Sequence, residues 1–188
     1  MTRTALLDIE PETLETDNRE AANLMAGAKE RLGFLPNMYT YMAKFPPILD
    51  GYLSAYEAFR AQAGFTPAEQ ETVFLTISRV NGCTYCMAAH SMIADKKSGV
   101  PEEALKALRD GSELPDPKLQ AVATFTEAMV LSRGNPGQQA VDDFLAAGYG
   151  EKQVLGVVLA IACKTFSNYV NHLSGTPVDD VFAAYKVD

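Results

Sequence analysis

The sequence predicts an all-α protein of seven or eight helices, and three observations carry that expectation. Apolar residues recur at spacings of three and four along most of the chain, the period of a helix face. Alanine, leucine and glutamate, all strong helix formers, are abundant. No alternating apolar and polar run of strand length stands out. At 188 residues the chain fits a single domain and is long enough to bury a real core. Its 47% hydrophobic and 21% charged residues, without a low-complexity tract, are those of an ordinary globular chain.

Residues 1–18 are rich in Asp, Glu and Thr and contain Pro11, so they are expected to form an extended arm, suited to packing on a neighbouring subunit. The helical domain then occupies residues 19–188. Arg19 to Leu32 reads as the first helix, ended by Gly33. In FLPNMYTYMAKFPPILDGYLSAYEAF, Pro36 and the Pro46-Pro47 pair delimit a short helix and a longer one. Thr66-Pro67-Ala68-Glu69 is a capping box with proline at the first helical position, so a helix starts there and runs to about Val80. Val73, Phe74, Leu75, Ile77 and Val80 spread around much of its circumference, the pattern of a largely buried helix.

Asn81-Gly82 then stops that helix. Cys83 to Lys97 follows without Gly or Pro and reads as a new helix opened by its cysteines, closed by Gly99. Pro101 to Arg109 forms a short helix before Gly111. Asp116, between Pro115 and Pro117, caps a helix through about Ser132, and Gly134-Asn135-Pro136-Gly137 is a loop. Gln138 to Ala147 comes next. After Gly148-Tyr149-Gly150, the run VLGVVLAIACKTFSNYVNHL predicts a central helix to about residue 173.

The chemistry concentrates in ETVFLTISRVNGCTYCMAAH, residues 71–90, which holds Glu71, Cys83, Cys86 and His90. At roughly 100° per residue, positions 83, 86 and 90 fall within about 60° of one another, so both sulfurs and the imidazole share a face. A helix N-terminus favours negative charge and lowers a thiol pKa, and the thiolate is the reactive form. The spacing also lets one cysteine attack and the other resolve through an internal disulfide. His90, one turn beyond Cys86, is within reach to take or return its proton. Glu71 would orient or charge that imidazole if the two helices pack antiparallel. A buried helix holds a glutamate only with a partner.

Plainer readings exist for each residue. Cys83, Cys86 and His90 have the makings of a zinc site completed by His172 or Cys163, but structural zinc favours paired knuckles on loops over one helix face. Inert core cysteines are a second plain reading. Glu71 alone is an acidic residue early in a helix. Cys163 in its apolar run reads as core, His172 as a residue of the long helix's C-terminal end, and Met87 and Met92 as core filler. Tyr85 lies on a different face from the cysteines, suited to packing against another helix.

Taken together, Glu71, eleven residues, Cys83, two residues, Cys86, three residues and His90 resemble the signature of the AhpD-like alkylhydroperoxidases, within the carboxymuconolactone decarboxylase superfamily. The Pro36-Asn37 segment, with its short helix and following proline, is similar to the peroxidase-related branch, and NHLSGTPVDD to the end of the family domain. The resemblance implies an AhpD-like fold with the CxxC at a helix N-terminus. It implies that Cys86 attacks the peroxide and becomes a sulfenic acid, that Cys83 donates a proton and resolves, and that Glu71 and His90 form a proton relay. No haem, metal or other cofactor is implied, only an external dithiol reductant, lipoyl-bearing or thioredoxin-like. A homo-oligomer, trimer or hexamer, is implied too. One departure is Tyr85, where the best-known members carry a histidine; a phenol titrating near 10 does not share a proton near neutrality.

The expected function is therefore a thiol-dependent peroxidase reducing hydroperoxides. Its rivals are a protein disulfide reductase, favoured by the usual exposure of the first cysteine in a helix-opening CxxC, and a decarboxylase of the carboxymuconolactone type. A net charge of −8 argues against a nucleic-acid or anionic-membrane partner. The N-terminus lacks the apolar core of a signal peptide and no run reads as a membrane span, so a cytoplasmic location is expected. Three cysteines, two in CxxC, suit a reducing compartment.

Overall fold

A computed structural model describes residues 5–187; residues 1–4 of the predicted arm and the terminal Asp188 lie outside the described residues. The described residues form nine α-helices and one 3-10 helix, with no strand. In order these are α1 (Arg19–Leu32), α2 (Asn37–Met42), α3 (Pro46–Gln62), α4 (Pro67–Val80), α5 (Thr84–Lys96), α6 (Glu102–Asp110), α7 (Pro117–Leu131), α8 (Gln138–Ala146) and α9 (Glu151–Ser174), then the 3-10 helix Asp180–Tyr185. Eight α-helices have nine or more residues and α2 is a six-residue turn of helix, so the helix positions follow the sequence reading closely.

Local chemistry fixes the ends. Thr66 Oγ1 accepts from the Glu69 N–H at 3.3 Å while the Glu69 carboxylate accepts from the Thr66 N–H at 2.7 Å, the reciprocal capping box that starts α4. Asn18 and Asp116 accept from the first turns of α1 and α7. At the other end of α4, Gly82 takes φ +67°, a left-handed value that glycine adopts without strain, and the chain reverses. The Cys83 N–H then bonds Ser78 O at 2.9 Å. Thus α4 and α5 lie as an antiparallel hairpin.

The centre of the molecule is α4, every residue of which from Glu69 to Ser78 is buried. It packs against α5, α6, α7 and α9, while α9 lies along α3. Gly156 marks the close approach of those last two: a Cβ there would sit 2.9 Å from the Ala63 Cβ. A second apolar cluster, with Leu75, Leu105 and Leu108 at its heart, joins α4 to α6. Phe125, Phe144 and Tyr149 stack at 4.3 and 4.5 Å between centroids and tie α7, α8 and the α8–α9 turn together.

Two features differ from the sequence reading. The described part of the arm packs on its own chain, Leu6 and Leu7 N–H donating to Leu173 O at 2.9 and 3.0 Å and Glu12 N–H to Thr40 O at 2.9 Å. Also, α9 has the length and composition of a helix able to cross a membrane, where the sequence reading expects no such span. Its apolar tally hides a buried polar face of Lys164, Ser167, Asn168 and Asn171, which is what a core helix with a functional stripe shows.

Candidate active site

Cys83 is the N-cap of α5 and Cys86 sits in its first turn, so both cysteines lie at the positive end of the helix dipole. Each is only 1% exposed. His90 follows one turn later on the same helix, and the α4–α5 hairpin sets Glu71 opposite it. Glu71 Oε2 lies 2.8 Å from His90 Nδ1, and the other carboxylate oxygen pairs with the Arg60 guanidinium from α3. The sequence left the relation of Glu71 to the dithiol open because the Asn81-Gly82 turn breaks helical phase; the fold closes it by antiparallel packing.

This is a fully built charge array. Burial would raise the Glu71 carboxyl, but His90 and Arg60 outweigh it and hold the group below its ordinary value. Burial, and then the charge of Lys164, push the His90 imidazole down, so it stays neutral near neutrality despite Glu71. With Nδ1–H donating to the carboxylate, Nε2 is left as the basic nitrogen. Arg60 is steadied by its own contacts, donating to Tyr56 Oη at 2.8 Å and to Gln70 Oε1 at 3.1 Å.

The two thiols divide the proton unequally. Burial acts to raise Cys86, but a hydrogen bond from Cys83, the charge of Lys164, His90 and the Ser167 hydroxyl together hold it well below the ordinary thiol range. Cys83 is driven up, first by giving its hydrogen to Cys86 and then by burial. Asn171 Nδ2 completes the cradle, donating at 3.4 Å to Cys86 Sγ and at 3.6 Å to Cys83 Sγ. These surroundings favour negative charge on Cys86 over Cys83, opposite to the usual order in a helix-opening CxxC.

A cavity of about 100 Å³ opens beside this array. Phe34, Tyr39, Tyr52 and Phe182 form much of its apolar wall, and Cys86, His90 and Lys164 face it, whereas Cys83 does not line it. Tyr85 borders the same space. Its hydroxyl donates to Asp179 Oδ2 at 2.5 Å and its ring meets Phe182 edge-on, so the face it turns from the cysteines packs on the 3-10 helix of its own chain. Burial and the Asp179 carboxylate push that phenol further up, away from any proton exchange near neutrality.

Cys163 is core, its Sγ 3.9 Å from Tyr52 O and its thiol pushed up to about 12 by burial. Met87 is buried in the second cluster, and Met92 is half-buried at the cavity. His172 is half-buried near the end of α9. Among the described residues no three His, Cys, Asp or Glu side chains gather in a metal-binding group. Sequence reasoning missed Arg60, Lys164, Asn171 and Asp179. One available signal was the 3–4 spacing of Lys164, Ser167, Asn168 and Asn171 inside an apolar run; Arg60 and Asp179 had none.

Residues 46–128 match the family model described as the carboxymuconolactone decarboxylase family. That segment spans α3 to α7 and includes all four predicted site residues. No curated protein matches the chain. Solved structures resemble it along nearly its full length. An uncharacterized peroxidase-related protein from Ralstonia eutropha, described as an alkylhydroperoxidase AhpD core, is 17% identical with a TM-score of 0.82, covering 95% of each chain. A variant of the debrominase Bmp8 in complex with 2,3,4-tribromopyrrole is 19% identical with a TM-score of 0.77, covering 97% of each. A peroxidase-related protein from Silicibacter sp. is 17% identical with a TM-score of 0.73 over 95% of each.

Proposed function

We propose that this chain, whose residues 46–128 match the carboxymuconolactone decarboxylase family model and whose fold is that of the AhpD-like structures, is a thiol-dependent peroxidase, reducing small hydroperoxides through Cys86 and Cys83. The observation that carries this reading is the placement of Cys86: a buried sulfur held by Asn171 Nδ2 at the wall of a narrow apolar cavity, with Cys83 behind it and off the cavity. In the cycle, the Cys86 thiolate attacks the terminal oxygen of ROOH and the O–O bond breaks. The departing alkoxide takes a proton and leaves as alcohol. Cys83 supplies that proton, or water relayed by His90 Nε2 does. The Cys83 sulfur, a thiolate once its proton has gone to the alkoxide or to His90, then attacks the Cys86 sulfenic acid; the S–O bond breaks, a disulfide forms, and the leaving hydroxide takes a proton from His90 or from solvent and departs as water. An external dithiol reduces that disulfide to reset the pair.

Burial bears on the rivals. With both sulfurs 1% exposed, the disulfide of a folded protein does not reach them, which weighs against protein disulfide reductase activity. It also favours a slim lipoyl arm over a thioredoxin-like domain as reductant. Carboxymuconolactone-type decarboxylation uses no dithiol and leaves the cradle around the sulfurs unexplained. One other reading has an observation of its own. The aromatic wall of the cavity suits a small halogenated ring, the kind of molecule in the Bmp8 complex, and a dithiol can replace carbon-bound bromine by hydrogen while becoming a disulfide.

The test is intact-mass analysis of the reduced protein after one equivalent of hydroperoxide, with thiol blocking, on wild type and Cys83→Ser. Wild type should lose two thiols to a Cys83–Cys86 disulfide, and the variant should yield a trappable sulfenic acid on Cys86. Thiols that survive hydroperoxide but oxidise with a brominated pyrrole would move the assignment to dehalogenation.

A further inference from the structure

The side chain without an explanation in this cycle is Lys164. It is wholly buried in the middle of α9, its Nζ has no hydrogen-bond partner among the described residues, and it faces the cavity shared with Cys86 and His90. The Nζ lies over the face of the Phe74 ring, 5.5 Å from its centroid. An ammonium group left dry and unpaired is strongly unfavourable. A fold that keeps one there needs a compensating negative charge close by.

The charged and titratable groups packed around Cys86 can be assigned in turn. On α4, Glu71 is taken by Arg60 of α3 and by His90 of α5. Asp179, after α9, is taken by Tyr85. Tyr39 on α2, Tyr52 and Tyr56 on α3 and Cys163 on α9 are all pushed toward their neutral forms by burial, and Lys97, the other cation lining the cavity, is exposed to solvent. Cys83 holds its proton and His90 is neutral. One anion then remains for Lys164, the Cys86 sulfur. The same face of α9 presents Ser167 and Asn171 to the sulfurs three and seven residues on, so one helix stripe delivers a cation and two donors to one place.

We propose that Lys164 is a positioning residue, the buried counter-cation that keeps Cys86 in its attacking form. This rests on the reading of Cys86 as the nucleophile, but not on which small molecule it attacks.

Two measurements test it without turnover. On the unsubstituted reduced protein, the rate of Cys86 alkylation by anionic iodoacetate is divided by that with neutral iodoacetamide. The ratio should exceed that of free 2-mercaptoethanol by about fivefold or more, because a cation beside the sulfur draws the anionic reagent. An equal or lower ratio, or a Cys86 inert to both reagents at neutral pH, overturns the proposal.

The second measurement is the pH profile of iodoacetamide alkylation at Cys86 in Lys164→Met and Lys164→Arg. Methionine, similar in volume and uncharged, should move the midpoint up by at least about one pH unit, a tenfold loss of thiolate at fixed pH. Arginine should keep it near wild type. A folded Lys164→Met protein with an unmoved midpoint sinks the idea, and should that variant not fold, the charge-selectivity ratio decides. Failure of the peroxidase reading would show separately, as Cys86 indifferent to hydroperoxide with the alkylation shift intact.

Discussion

Glu71 answers to two partners at once, so replacing it by glutamine separates orientation from charge. The amide of Glu71→Gln has nearly the same shape, but it leaves Arg60 without its anion and no longer enforces an Nδ1–H on His90. Loss of the relay should lower the rate of peroxide-driven thiol oxidation by about a hundredfold, within the range of general acid–base catalysis. Stability should fall by about 3 kcal/mol, since one partner of a buried pair is removed while the other stays.

The pH dependence has a definite sign. The Glu71 carboxyl is held below its ordinary value in the folded protein, so its contribution is fully present above about 4.5 and is lost as pH falls through the lowered folded value. Urea unfolding between pH 3 and 7 should therefore show wild type losing stability on acidification more steeply than Glu71→Gln. Parallel curves would mean that the pairing does not stabilise the fold.

At the scale of the helices, α9 is held against α3 by the absence of a side chain. A methyl group at Gly156 would press on the Ala63 Cβ at 2.9 Å and on the Phe65 ring at 3.4 Å, and Ala63 has no rotamer with which to yield. Alanine is worth up to about 1 kcal/mol over glycine in an open helix, whereas overpacking costs about 1–3 kcal/mol. Gly156→Ala should thus destabilise by about 1 kcal/mol, read as a lower urea midpoint at unchanged slope; a higher midpoint would show that the α3–α9 seam is looser than described. The same helix shows what could be read from sequence. Punctuation was legible: TPAE, Asp116 before Pro117, Gly33 and Asn81-Gly82 all mark ends that the structure keeps. So was the Glu, Cys, Cys and His spacing. Lys164 is legible only through its 3–4 spacing with Ser167, Asn168 and Asn171, since within VLGVVLAIACKTFSNYVNHL it otherwise reads as one charge in an apolar run until α9 packs on α5. Arg60 and Asp179 were hidden for a related reason, lying 11 residues before Glu71 and 93 after Cys86, too far for periodicity to connect. The 3-10 helix Asp180–Tyr185 is too short to carry a period.

Over the whole molecule, buried polar groups converge on one site while several large apolar side chains face outward. Leu155, Val158, Tyr169 and Leu173 of α9 are exposed, as is Leu131 at the end of α7. This accords with the homo-oligomer that the family resemblance implies, and light scattering should return a multiple of the 20.4 kDa chain mass; a single-chain mass at micromolar concentration would remove that expectation.

The unpaired Lys164 also has a thermodynamic side. When Cys86 is a thiolate, the buried charges balance; when it is locked in a disulfide, its negative charge is gone and the ammonium is left alone in a dry interior. Oxidation therefore works against the electrostatics of the fold, and reduction relieves it. A dithiol whose reduced form is favoured in this way has a raised potential and is the more readily reduced by an external dithiol. In the proposed cycle the waiting state would be the armed one, and the spent disulfide would be poised to be reset.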